Sequence, residues 1–162
     1  KMGFTSYLVD LLSECDDPSE PLDLLMSLAS CHPVNVSFDG ILRGVCLAMS
    51  KENQSTWVLE KCVRLLHLAL DRRACPHWFA SSSVMGIALN CLRATKSKQS
   101  SSVLSKLDEG LAYVIVNAAG LKNDKSVLVE QGVVSVVETL LDSKCLGTVS
   151  KSLPAIVKIL AV

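Results

Sequence analysis

The 162-residue sequence predicts an all-α fold of about four helical hairpins stacked in a row. Three observations carry that prediction. Apolar residues recur at i, i+3, i+4 spacing through almost the whole chain, which is the period of an amphipathic helix. Residues are 49% apolar but only 4% aromatic, and the Leu, Ala, Val, Ser and Lys that dominate suit helices and suffice for a real core. Equivalent points in successive hairpins, Leu28, Leu68, Ala118 and Ile159, step by 40, 50 and 41 residues, close to the spacing of about 40–47 typical of helical-repeat units.

The first helix is predicted over Thr5–Ser13 on Tyr7, Leu8, Leu11 and Leu12, and Asp16-Asp17-Pro18-Ser19 breaks it. Pro21 opens the second, which runs to Ser30 on Leu22, Leu25, Met26, Leu28 and Ala29 before Cys31-His32-Pro33 stops it. Ser37 caps a third helix to Met49, with Ile41, Leu42, Val45, Cys46 and Met49 inward. Ser55 or Thr56 caps the fourth, Trp57 to Leu70, the strongest amphipathic pattern, on Val58, Cys62, Leu65, Leu66 and Ala69. Pro76 to Leu92 reads as one helix that Ser81-Ser82-Ser83 either kinks or starts.

The tract 95–102, Thr95-Lys96-Ser97-Lys98-Gln99-Ser100-Ser101-Ser102, has no apolar residue to anchor it and reads as a flexible loop, the insertion in the long step. A helix from Leu104 or Leu107 to Ala119 follows, with Gly120 at its C-terminal end. Val133 to Leu141 is β-branched, but a lone strand could not satisfy its backbone, so it reads as a buried helix. Thr148 caps the last helix, Val149 to Leu160.

This length makes one domain, 1–162. Its start at Lys1-Met2 and its apolar end, Ile159-Leu160-Ala161-Val162, read as those of a piece of a longer protein. Seven cysteines, an odd number set largely in apolar helical patterns, point to a reducing compartment, the nucleus or cytoplasm. The triplets Asn35-Val36-Ser37 and Asn53-Gln54-Ser55 are chance matches in a Ser-rich chain on that reading. The best apolar run, Leu111 to Ala119, is interrupted by Asn117 and falls short of the roughly 18 residues of a membrane span. Sixteen basic and sixteen acidic residues give no global field to recruit nucleic acid.

The sequence offers no nucleus for catalysis, and no cofactor is expected. Cys31-His32 and Cys75-Pro76-His77 lack structural-zinc spacing, so no metal is expected either. Asp16-Asp17 and Asp108-Glu109 sit where helix starts favour carboxylates in any case. Leu8-Val9-Asp10-Leu11-Leu12 matches an L-x-x-L-L docking pattern, yet the same spacing is the inward face of a Leu-rich helix. Lys61, Arg64 and His67 fall close together on one helix face, with Arg72, Arg73 and His77 following, and form a candidate surface for an acidic partner. Glu60 and Asp71 dilute it as a nucleic-acid site.

The stretch Glu109-Gly110-Leu111-Ala112-Tyr113-Val114-Ile115-Val116-Asn117-Ala118-Ala119-Gly120, followed by Leu128-Val129-Glu130-Gln131-Gly132-Val133-Val134 and Leu140-Leu141, resembles an armadillo repeat junction. The resemblance covers Leu107 to Val162; upstream, HEAT-like pairs fit the periodicity as well. It implies a right-handed α-solenoid and a binding module without catalysis, a scaffold or adaptor. In peptide-carrying members an aromatic residue and an Asn four positions later line a groove, and Tyr113 and Asn117 match that spacing with Tyr in place of Trp. The equivalent pairs Asp23 and Ser27, Val63 and His67, and Pro154 and Lys158 do not keep the pattern, which argues against a receptor for basic peptides. Asn117 fits equally well as a buried amide tying neighbouring backbone together.

The expected function is therefore a non-enzymatic module that binds a peptide or helix of a partner protein through the second helices of its hairpins. Val63 and Tyr113, with Pro154, would bury ligand side chains, while His67, Asn117 and Lys158 fix its register and Lys61 and Arg64 add charge. The alternatives are a structural segment that packs on further repeats or self-associates, and a weak nucleic-acid binder at the local basic patch.

Overall fold

The computed structural model describes residues 3–31, 38–51, 54–74, 76–81, 83–98, 105–122, 132–142 and 145–161. Among the described residues there are nine α-helices and no strand: α1 Phe4–Glu14, α2 Ser19–Cys31, α3 Phe38–Ser50, α4 Thr56–Asp71, α5 Pro76–Ser81, α6 Val84–Lys98, α7 Lys106–Gly120, α8 Val133–Asp142 and α9 Leu146–Leu160. They fall into two compact units, Lys1–Cys75 and Pro76–Val162.

In the N-terminal unit two hairpins pack on each other, with α1 against α2 and α3, and α4 against α2 and α3. Leu8, Leu12, Leu22, Leu25, Ile41 and Leu66 are fully buried among them. Leu8 and Leu12 thus spend the L-x-x-L-L pattern on the core. The hairpins are tied at their ends by a repeated device. The Lys51 ammonium, just past α3, donates to the Cys15 carbonyl that ends α1 at 2.9 Å. The Arg72 guanidinium, just past α4, donates to the Ala29 and Ser30 carbonyls near the end of α2. Terminal carbonyls that their own helices cannot pair are satisfied by a cation one hairpin later. Ser55 caps α4, its hydroxyl accepting from the Val58 N–H at 3.3 Å, as its residue type predicts. Ser37, the expected cap of α3, lies outside the described residues.

The C-terminal unit is built around α7, in which 111–116 are all buried. It packs on α5, α6, α8 and α9, and α8 packs on α9. The helix expected over Pro76 to Leu92 is two: Pro76 opens α5, and the chain restarts where the Ser83 carbonyl accepts the Ile87 N–H at 3.0 Å, serine being a favoured starting residue. Part of the expected loop is helical, since Thr95–Lys98 continue α6. Thr95 Oγ1 donates back to the Leu92 carbonyl and across to Asp108, which anchors this end; 99–102 lie outside the described residues. The last helix begins before Thr148, at Leu146, with Cys145 as the flanking residue. The Thr148 hydroxyl is used elsewhere, donating to the Glu109 carboxylate of α7. Gly120 ends α7 for a reason other than a left-handed turn. A Cβ there would lie 2.7 Å from Ala155 Cβ and 2.9 Å from Ala155 Cα, so only glycine lets α7 and α9 approach this closely.

Candidate functional site

The second helices of the hairpins carry the candidate site, and they divide into two cases. On α4, Trp57 and Lys61 stand one turn apart, Trp57 exposed and Lys61 buried beside Val58, Cys62 and Leu65. The Lys61 ammonium lies 3.0 Å from the centre of the Trp57 ring and 2.5 Å from Asp23 Oδ2 on α2. Lys61 is buried and Asp23 is mostly exposed. The ammonium makes no well-directed hydrogen bond, so ring and carboxylate are the partners that offset its lost hydration. Trp57 itself is 50% exposed. One part of the indole is fixed from behind by a cation and the rest faces solvent, held before any ligand arrives.

Asp17 stands just before α2. Its carboxylate accepts the Ser19 N–H at 3.0 Å, and bonds from Ser19, helped by the Lys61 charge, hold its pKa below the ordinary aspartate value. Asp17 thus serves a helix start, and the other acidic pair is structural too. Asp108 is buried in a reciprocal cap with Ser105, accepting from its hydroxyl at 2.8 Å while Ser105 Oγ accepts the Asp108 N–H at 3.1 Å.

On α7 the matched pair turns inward. Tyr113 is 4% exposed. Asn117 Nδ2 donates to the Tyr113 carbonyl at 2.9 Å and to Ser152 Oγ on α9 at 3.1 Å, and Ser152 is fully buried. Asn117 therefore ties two neighbouring helices, the structural alternative for this residue. Ser27, at the equivalent position of α2, makes the same backward bond to the Asp23 carbonyl at 2.9 Å.

The predicted site residues differ in exposure within each unit. Val63 is 4% exposed, Lys61 is buried, His67 is half-buried and Arg64 is exposed on α4; Lys158 is exposed on α9 beside the exposed Pro154. Val63 and Tyr113, the intended anchors, have no side-chain surface to offer. The basic cluster likewise disperses, because Lys61 faces Asp23 and Arg72 closes α2. Sequence reasoning missed Trp57, whose signal is a large aromatic set off the apolar stripe, four residues before a lysine. It also missed the cap in Ser105-Lys106-Leu107-Asp108, a readable S-x-x-[DE] pattern.

Among the described residues no three His, Cys, Asp or Glu side chains gather where a metal could bind. Cys31, as a side chain, and His32 and Cys75 lie outside the described positions, as do both Asn-x-Ser asparagines. Cys15, Cys46, Cys62, Cys91 and Cys145 are free thiols, and burial pushes the Cys91 thiol pKa up, which makes it inert. No described helix is long and apolar enough to cross a membrane. Compared with protein-family models, curated proteins and solved structures, the chain finds no match.

Proposed function

We propose that this chain is a non-catalytic protein-binding module of the armadillo-like kind, a scaffold or adaptor that holds a peptide or helix of a partner on the outer face of α2 and α4. The observation that carries this reading is Trp57, a half-exposed indole preorganised by Lys61 and Asp23. Interface hot spots favour tryptophan, and a side chain already held in place loses little entropy on binding. Exposed Arg64 and Asp23 flank it with both charge signs. The hairpin packing inside each unit supports a solenoid of repeats, and the five free thiols support a reducing compartment, the nucleus or cytoplasm. The polar side chains that could have suggested catalysis cap helices or tie them together, which supports a module without enzymatic activity or cofactor.

The test is selection of binders from a displayed random-peptide library, followed by affinity measurement against the parent chain and Trp57→Ala. Loss of about tenfold or more in affinity with the fold intact is expected for an anchor of this kind. Binders that ignore the substitution would move the site elsewhere. The second reading, a structural segment that packs on further repeats, is favoured by the apolar outer face of α9, where Leu153, Val157 and Leu160 are exposed.

A further inference from the structure

Lys61 reaches Trp57 along one turn of α4 and closes the middle of one indole face, its ammonium 3.0 Å from the ring centre. Nothing fits between them at that distance. The half of Trp57 that stays exposed is therefore the opposite face and the ring edge. The two ends of the ion pair behind it differ, since the Asp23 side chain is 58% exposed and that of Lys61 only 9%. Water screens the carboxylate more than the ammonium, so the ring meets the positive end of the pair. Attraction to that charge draws π density toward the covered face. The open face is left poorer in it and suits a second ring better than a second cation. Nearby charges do not reverse this. Glu60 and Arg64, both exposed on α4, are four residues apart and opposite in sign. Glu20 lies in the first turn of α2, where the helix N-terminus offsets its charge.

We propose that the partner residue seated on Trp57 is a neutral aromatic ring, and that Lys61 is the specificity-determining residue that turns arginine and lysine away. The inference rests on Trp57 being the anchor of the site and names the kind of side chain it takes. A ligand cation within the usual reach of about 6 Å from the ring centre would stand within about 9 Å of the Lys61 ammonium, across an apolar ring. A ligand ring meets no such repulsion and gains from offset or edge-on stacking.

The test uses the full chain and short peptides selected from a displayed random library, read by fluorescence anisotropy. Peptides that lose affinity with Trp57→Ala are scanned with alanine, and the position whose loss is not additive with Trp57→Ala is the one seated on the ring. That position should be Phe, Tyr or Trp, and arginine placed there should weaken binding about fivefold or more. Lys61→Met keeps the stem, removes the charge and leaves Asp23 without its cation, so the loss with arginine should vanish or change sign. Asp23→Asn keeps the ammonium and should leave the aromatic preference in place, with circular dichroism reporting the fold of both variants. Arginine or lysine as the seated residue, or an aromatic preference that Lys61→Met leaves unchanged, would overturn the proposal while Trp57 remains the anchor. Peptides indifferent to Trp57→Ala would remove the anchor itself, and this inference with it.

Discussion

The two units meet one problem, how to tie the second helix of a hairpin to that of the next, with different chemistry. Between α2 and α4 the tie is an ion pair with only one end in water, exposed Asp23 to buried Lys61, closed by an aromatic ring. Between α7 and α9 it is a neutral amide and hydroxyl, Asn117 to Ser152, sealed inside. The difference decides what each unit can show a partner. A charged tie must stay near water and keeps Trp57 with it at the rim. A neutral tie can be buried, and Tyr113 goes in with it. The aromatic residue that sequence spacing favoured is thus a core residue, and Trp57, the anchor proposed for recognition, sits in the other unit.

Close approach gives the largest contrast. Gly120→Ala places a methyl 2.9 Å from backbone of α9. The helices must separate, at a cost of about 2–3 kcal/mol that outweighs the gain of about 1 from helix propensity. The counterpart in the N-terminal unit is Gly44 between α3 and α1. Its added methyl would meet only side-chain ends closely, Leu12 Cδ1 at 3.0 Å and Val9 Cγ1 at 3.1 Å, which can swing aside. Gly44→Ala should therefore stay within about 1 kcal/mol of the parent. Urea unfolding of both variants checks the pair, and equal losses would erase the distinction.

The ties themselves come next. Asn117→Ala strands a fully buried hydroxyl on Ser152 and should cost about 2 kcal/mol with no dependence on salt. Asp23→Ala leaves the buried Lys61 ammonium facing only the Trp57 ring and should cost about 2 kcal/mol, a loss that should change with salt because the Asp23 side is mostly in water. Denaturant melts at two ionic strengths distinguish them. A salt-sensitive Asn117→Ala would contradict the neutral tie.

How far the sequence reaches follows the same line. Helix existence and hairpin order were legible because the apolar period is set by contacts along each helix, as in α3 and α4. Boundaries were less so where a side chain had two uses: Thr148 could cap a helix or serve Glu109, and only packing of α9 on α7 decides it. The site was least legible. Spacing alone could not tell an exposed Tyr–Asn pair from a buried one, because the outcome depends on Ser152, 35 residues away.

Smaller effects sharpen the N-terminal unit. Arg73 follows α4 with φ 51°, and the Arg73 and Ala74 N–H groups close the helix onto Leu70 and Ala69 carbonyls. Glycine is the usual residue in that conformation, so Arg73→Gly should raise stability by about 0.5–1 kcal/mol in thermal or urea melts. Asp17 has its pKa lowered in the folded state, so its contribution is full above the ordinary aspartate range, near pH 4, and is lost as pH falls through the folded value. Asp17→Asn should flatten the acid limb of the stability profile, measured between neutral pH and pH 2.

Trp57 and Trp78 are the two tryptophans of the chain, which allows a direct reading of the proposed site. In Trp78→Phe, emission comes from Trp57 alone, and a library-selected peptide should shift it saturably with the affinity found by anisotropy. A peptide that binds with equal affinity while Trp57 emission stays unchanged would contradict the account.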